Sequence, residues 1–213
     1  YIINTCSVTN IADRKSRQML HRARKMNEDA IVVAAGCYVE SAKEKIDEDL
    51  SIDIIVGNNN KNEIVNIINE YLQDKNENRF IIDINKNTEY EEFNISKIND
   101  HTRAFIKVQD GCNQFCSYCI IPFTRGRVRS RKMENIIEEV KKLASSGYKE
   151  VVLTGIHLSS YGVDFLDESY NKRMELLTQT EESDEEFVTK NELLNLIENI
   201  SKVDGIERNS SSL

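Results

Sequence analysis

CNQFCSYC, running from Cys112 through Cys116 to Cys119, gathers three of the five cysteines of this chain within eight residues. No fourth cysteine follows at ligand spacing. Four thiolates close a tetrahedral structural zinc site, whereas three leave one coordination position open for something exchangeable. Thiolate sets of this kind favour zinc or iron–sulfur chemistry. A lone cysteine is often just a small buried hydrophobe. Three so close together, beside Gly111 and the polar Asn113 and Gln114, read instead as metal ligands. The flanking pattern sets them in a fold. A strand at Ala104 to Gln109 leads into the cysteine loop, and a helix from about Met133 to Ser146 follows, with Ile136, Ile137, Val140 and Leu143 on its apolar face. Gly147 caps that helix, and a strand runs from Glu150 to Thr154. This is a βαβ unit, and (β/α) barrels keep their active sites at the carboxyl ends of such strands.

Upstream, a second alternation appears. Tyr1 to Thr5 reads as a short apolar strand with Cys6 at its end, and Ser7 or Thr9 supplies a cap for the helix that follows. Met19, Leu20, Ala23 and Met26 share a face of that helix, with Arg14, Lys15, Arg17, Arg24 and Lys25 largely elsewhere. Ala30 to Cys37 reads as a fully buried strand, again ending in cysteine. A polar helix through Lys45, a strand at Ile52 to Val56 and a helix from about Lys61 to Leu72 complete the pattern. The β-α-β-α-β-α order predicts a parallel sheet covered by helices, with Cys6 and Cys37 at carboxyl ends of strands. The fold class is therefore α/β: an N-terminal Rossmann-like domain at 1–75, a polar interdomain connection at 76–100 around a short strand at Arg79 to Ile84, and the first part of a partial (β/α) barrel at 101–213. The acidic run Glu181, Glu182, Asp184, Glu185 and Glu186 reads as a solvated loop, and a helix from about Asn191 to Ser201 carries Leu193, Leu194, Ile197 and Ile200 on one side.

Composition bounds the class. Hydrophobic residues at 39% and charged residues at 30% are those of a globular protein able to bury a core. No apolar run approaches the roughly 20 residues of a membrane helix, so no membrane partner is expected. Clustered cysteines do not read as a disulfide framework, which favours a reducing cytoplasm. The net charge of −8 argues against nonspecific nucleic-acid binding by the whole surface. The chain opens inside a strand without a start methionine and closes on IERNSSSL as another strand begins, which reads as a fragment cut at both ends.

The CxxxCxxC spacing, with Tyr118 just before the last cysteine, resembles the radical S-adenosylmethionine (radical SAM) enzymes. The wider context, VQDGCNQFCSYCIIPFTRGRVRSR with NTCSVTNIADRKSR and AAGCY, is similar to the methylthiotransferases of that superfamily. The resemblance implies a [4Fe–4S] cluster on Cys112, Cys116 and Cys119, whose fourth iron takes the amino and carboxylate groups of SAM, with Tyr118 near the adenine. Thr154 and Gly155, ending a barrel strand, become candidate SAM-binding residues. It further implies a second [4Fe–4S] cluster on Cys6, Cys37 and a third cysteine upstream that this sequence lacks. GIHLSSYG and VQDGC look like the subfamily that adds a methylthio group to C2 of N6-threonylcarbamoyladenosine next to the anticodon of tRNA. An electron donor such as a flavodoxin or ferredoxin is implied, and a monomer is expected.

Alternate arginines at Arg125, Arg127, Arg129 and Arg131 read as an RNA-contacting strip beside the cluster loop, although a charge run is more often a solvated face. His157 alone would more often be a satisfied polar residue than a catalyst. Other readings remain open: a methylthiotransferase for isopentenyladenosine in tRNA or for a ribosomal protein, an iron–sulfur redox sensor, and a zinc-stabilised binding module without catalysis. The chain alone is expected to be inactive in methylthiolation.

Overall fold

The computed structural model describes residues 1–42, 46, 48–74, 78–81, 84, 90–92, 103–165 and 192–211. The acidic run at 181–186, much of the polar connection and the stretch around Lys45 lie outside these described residues. The chain divides into two compact units, Tyr1–Glu91 with Cys112–Arg127, and Glu92–Gly111 with Val128–Leu213.

The first unit is built on four parallel strands in the order β1-β2-β3-β4: β1 (Ile2–Thr5), β2 (Val33–Gly36), β3 (Ile54–Val56) and β4 (Arg79–Phe80). Helix α1 (Asn10–Met26) joins β1 to β2, α2 (Cys37–Ser41) follows β2, and α3 (Ile64–Gln73) joins β3 to β4. Every residue of β2 is buried. Because successive side chains point to opposite faces, Val33 and Ala35 join Ile54, Val56 and Ile67 in one apolar layer. Ala34 joins Leu20, Ala23, Val39 and Ile55 in the other. A strand apolar at every position is the signature of a sheet covered on both faces.

Thr9, extended at its backbone, caps α1 by accepting the Ala12 N–H at 3.1 Å. The buried face of α1 is Ser16, Leu20 and Ala23. Met19 and Met26, expected on that face, are 51% and 65% exposed. They lie about a residue's rotation off the i, i+4, i+7 stripe that meets the sheet. Cys37 also differs from expectation. The strand ends at Gly36, and Cys37 is the first residue of α2.

In the second unit β5 (Arg103–Lys107), β8 (Glu150–Thr154) and β9 (Arg208–Ser211) are parallel in the order β5-β8-β9. A short antiparallel pair, β6 (Gln109–Asp110) and β7 (Arg129–Ser130), forms a stem that closes the excursion between them. Within that excursion, in the first unit, lies the single turn of helix α4 (Ile121–Thr124). Helices α5 (Met133–Ser145) and α6 (Glu192–Ser201) connect the parallel strands. Ile136, Val140, Leu143, Leu196 and Ile200 cover Ala104, Ile106, Val151 and Leu153 of the sheet. Burial of each such aliphatic side chain contributes about 1.5–3 kcal/mol. Leu194, expected on the inner side of α6, is half exposed, and Leu196 takes that place. Helix α5 ends with the Gly147 N–H on the Ala144 carbonyl and the Tyr148 N–H on the Leu143 carbonyl, the paired bonds of a Schellman motif. The architecture is a Rossmann-like parallel sheet in the first unit and three parallel strands of a partial (β/α) barrel in the second.

Candidate metal centre

All five cysteines belong to the first unit, and all are free thiols. Cys112 is buried, Cys119 partly exposed and Cys116 exposed. The Cys112 N–H donates to the Gly126 carbonyl at 3.1 Å, pinning the start of the loop to its end. Phe115 takes a positive φ of 47° just before the second thiol, and the Cys119 N–H donates to the Cys116 carbonyl at 2.9 Å, closing a tight turn between the second and third. Tyr118 is 91% exposed. Phe115 packs edge-on against Phe123 and lies under the Arg127 guanidinium, 4.4 Å from its ring centre.

Cys6 and Cys37 stand at adjacent strand ends. Thr5 pairs with Gly36 in the β1–β2 register, and each cysteine is the next residue. Gly36 has φ +106°, and a Cβ there would fall 2.4 Å from the Thr5 carbonyl oxygen, so only glycine lets the two ends close this far. Two residues that the sequence reading passed over organise this region. The Ser16 hydroxyl, buried on α1, accepts the Cys6 N–H at 3.0 Å. Asn58 is buried, donates its side-chain amide to the Thr124 carbonyl at 2.6 Å, and approaches the Cys37 sulfur at 3.8 Å. Its Oδ1 is buried and finds no partner among the described residues. Both are polar residues at helix or loop positions where sequence gives no sign of burial.

A cavity of about 990 Å³ opens in the same unit. Its rim includes the immediate neighbours of three cysteines: Ser7 after Cys6, Tyr38 after Cys37 and Tyr118 before Cys119. Burial, together with the negative charge of Asp13, pushes the Tyr38 phenol up, so it stays a neutral donor. Burial alone would raise the Asp49 carboxyl, but hydrogen bonds from Ser51 and His21 outweigh it and hold Asp49 below the usual carboxylate range.

Among the described residues, no three His, Cys, Asp or Glu side chains converge to ligand distance as they stand. The donor set nevertheless fits an iron–sulfur group in kind. It offers three soft thiols in one eight-residue loop, with no carboxylate or imidazole between Cys112 and Cys119. Cys6 and Cys37 form a set of two, and the sequence holds no further cysteine to complete it.

In the second unit, Thr154 and Gly155 end β8, with the Thr154 carbonyl accepting the Val108 N–H at 2.9 Å. The His157 ring meets the Ser160 hydroxyl at 2.6 Å, the contact of a polar residue satisfied within its own turn. The arginine row divides. Arg127 is exposed and Arg125 half-buried, but Arg129 and Arg131 are buried. Arg129 lies 3.8 Å from Asp110, and Arg131 pairs with Glu92 at 2.6 Å and with Glu139. This corrects the expectation of a four-residue RNA-contacting strip. The short β7 pairing with β6 turns Arg129, and Arg131 just after it, onto carboxylates of the same unit.

Comparison with known proteins bears on the whole arrangement. Residues 1–57 match the uncharacterized protein family UPF0004, and residues 106–202 match the radical SAM superfamily. A threonylcarbamoyladenosine tRNA methylthiotransferase, MtaB, of Bacillus subtilis (strain 168) is 41% identical over 182 residues, covering 85% of this chain and 40% of that protein. Its namesake in Aquifex aeolicus (strain VF5) is 44% identical over 164 residues, 77% of this chain and 40% of that protein. The chain thus spans about two fifths of the length of these curated relatives. Among solved structures, a radical SAM methyltransferase, TsrM, of Kitasatospora setae with cobalamin and a [4Fe–4S] cluster bound shares the fold. Its TM-score is 0.51 at 13% identity, covering 91% of this chain and 41% of that one. With both family models in chain order and identities above 40% across most of its length, the chain belongs to the radical SAM methylthiotransferase family.

Proposed function

We propose that this chain carries the cluster chemistry of a tRNA methylthiotransferase that adds a methylthio group to C2 of N6-threonylcarbamoyladenosine beside the anticodon. The observation that carries the reading is the loop Cys112–Cys119, with its three free thiols within eight residues, the last two on one tight turn, and an exposed tyrosine before the last. The names of the relatives at 41% and 44% identity supply the substrate.

Cys112, Cys116 and Cys119 would hold three irons of a [4Fe–4S] cluster, which when bound supplies an open iron for SAM and the electron that cleaves it. The chain's own residues position the reactants. The exposed Tyr118 ring offers an apolar face to adenine. Thr154 and Gly155, at a barrel strand's carboxyl end, offer backbone groups to the polar end of SAM. Cys6 and Cys37 would contribute two ligands to a second cluster that needs a third from elsewhere. The cavity bordered by neighbours of both cysteine groups would receive the modified base. Arg127, exposed beside the loop, would contact tRNA phosphate. A flavodoxin or ferredoxin would deliver the electron. Among the described residues no helix is long and apolar enough to cross a membrane.

The test is metal and sulfide content after anaerobic reconstitution, with the electron paramagnetic resonance spectrum of the reduced protein recorded with and without SAM. Iron with sulfide is expected, in a spectrum that SAM perturbs and that Cys116→Ala abolishes. Zinc without sulfide, in protein never exposed to air, overturns the reading.

A further inference from the structure

Gln109 is completely buried in the second unit, and every hydrogen-bonding atom of its amide is engaged. Its Nε2 donates to the Asp110 carbonyl at 2.8 Å and to the Gly111 carbonyl at 2.7 Å. Its Oε1 accepts the His157 N–H at 2.8 Å, across 48 residues of sequence. The partner chemistry fixes the orientation of the amide. Two carbonyls need the NH₂ end and one N–H needs the oxygen, so a flipped amide would lose all three bonds.

Nothing in the strand pairing demands this. The Gln109 backbone is held by its ladder partner Ser130, whatever the side chain. A leucine would fill the volume equally well. A buried side-chain amide with three bonds of good length is retained where its geometry matters, because each group left unmet costs about 1–3 kcal/mol. Gly155 supplies the complementary half. A Cβ on Gly155 would stand 3.0 Å from Gln109 Oε1 and 3.1 Å from Gln109 Cβ, with Leu158 Cδ2 at 2.9 Å. Gly155 is therefore glycine so that the amide can lie against the turn, a packing need distinct from close approach of a ligand.

We propose that Gln109 is a positioning residue. It locks Gly111, which enters the cysteine loop, to the Gly155–His157 turn at the end of β8, and so sets the affinity for SAM. The coupling is read directly from the structure, while its consequence for SAM rests on the proposed function. The side-chain bonds of Gln109 all go to backbone. It acts by holding two backbone segments in one relation, and on the proposed reading a loosened turn lets SAM's partners drift apart.

The experiment pairs two readouts on the reconstituted protein, amide hydrogen exchange at His157 and the Kd for SAM. In Gln109→Leu, exchange at His157 is expected to quicken and the SAM Kd to rise, each about tenfold or more, with iron and sulfide content unchanged. Gly155→Ala, which pushes the same amide aside, is expected to reproduce both effects, and combining the two changes to add little. It also serves should Gln109→Leu fail to fold. Gln109→Glu is expected to bind SAM progressively worse as pH rises. Its neutral carboxyl can donate to one carbonyl, but its ionised form repels both. Unchanged exchange at His157 in the folded variants overturns the coupling. Faster exchange with an unaltered SAM Kd overturns the positioning role and leaves a structural one. A parent protein that holds its cluster but binds no SAM sinks the proposed function and the affinity half of this inference together, and exchange at His157 then decides the coupling by itself.

Discussion

Arg131 belongs by sequence pattern to a row of four arginines expected to face RNA, but its surroundings make it a folding residue. Its side chain is 3% exposed, its Nε meets Glu92 at 2.6 Å, and its Nη1 meets Glu139, itself only 10% exposed. The main chain is tied as well, with the N–H on the Val108 carbonyl and the carbonyl accepting the Tyr161 hydroxyl, each at 2.9 Å. Burial would lower the guanidinium's affinity for its proton, but the Glu139 and Glu92 carboxylates outweigh it and push the pKa up. Removing one member of a buried ion pair leaves an uncompensated charge, at a cost of about 3–5 kcal/mol. Arg131→Met is therefore expected to lower the urea midpoint sharply. Adding Glu139→Leu should recover much of the loss, because an apolar pair of similar volume is close to neutral in such sites. A single variant as stable as the parent would mean that water screens the pair.

At the scale of elements, the βαβ order and the strand Glu150–Thr154 were legible because apolar periodicity and a capping glycine agreed. The spacing of Cys112, Cys116 and Cys119 was legible because ligand chemistry dictates it. Three things were not. The face of α1 slipped from Met19 and Met26 to Ser16, because a buried serine that holds the Cys6 backbone is indistinguishable from a surface one in sequence. The β6–β7 stem is two residues long on each side, too short for any period, yet it decides which arginines are buried. Asn58 and Gln109 matter through partners 66 and 48 residues away, which no local pattern reports. The junction of β2 and α2 sharpens this into a prediction. Gly36 must turn the chain at φ +106° with the Thr5 carbonyl 2.4 Å from where a Cβ would be. A non-glycine residue in such backbone costs about 1–3 kcal/mol from conformation alone, and the clash adds to it. Gly36→Ala should accordingly lower the thermal midpoint. It should also speed alkylation of the buried Cys37 more than that of Cys6, since Cys6 is already exposed. Equal midpoints for parent and variant would show that the β1–β2 ends are free to separate.

For the molecule as a whole, charge limits how the proposed tRNA substrate would be held. A net charge of −8 repels a polyanion at long range, so on that proposal binding would come from few local cations and depend weakly on salt. Arg129 and Arg131 are not expected among them, because both side chains are buried and face Asp110, Glu92 and Glu139 of their own unit. Arg127 is. Its guanidinium carbon lies over the Phe115 ring, 4.4 Å from the centre, a contact that orders the side chain and on the proposed reading leaves N–H groups for phosphate. Each phosphate neutralised contributes about 0.7–0.9 to the slope of log K against log salt. The measurement is fluorescence anisotropy with an anticodon stem-loop RNA across roughly 50 to 200 mM salt. Arg127→Ala is expected to weaken binding and flatten the slope by about 0.7–0.9, one phosphate's share. Arg129→Met is expected to lower stability and leave the slope where it was. An unchanged slope in Arg127→Ala would remove this arginine from the RNA interface. A flattened one in folded Arg129→Met would mean that the buried pairs open when RNA arrives, and that the acidic chain keeps its phosphate-binding charge stored against its own carboxylates until then.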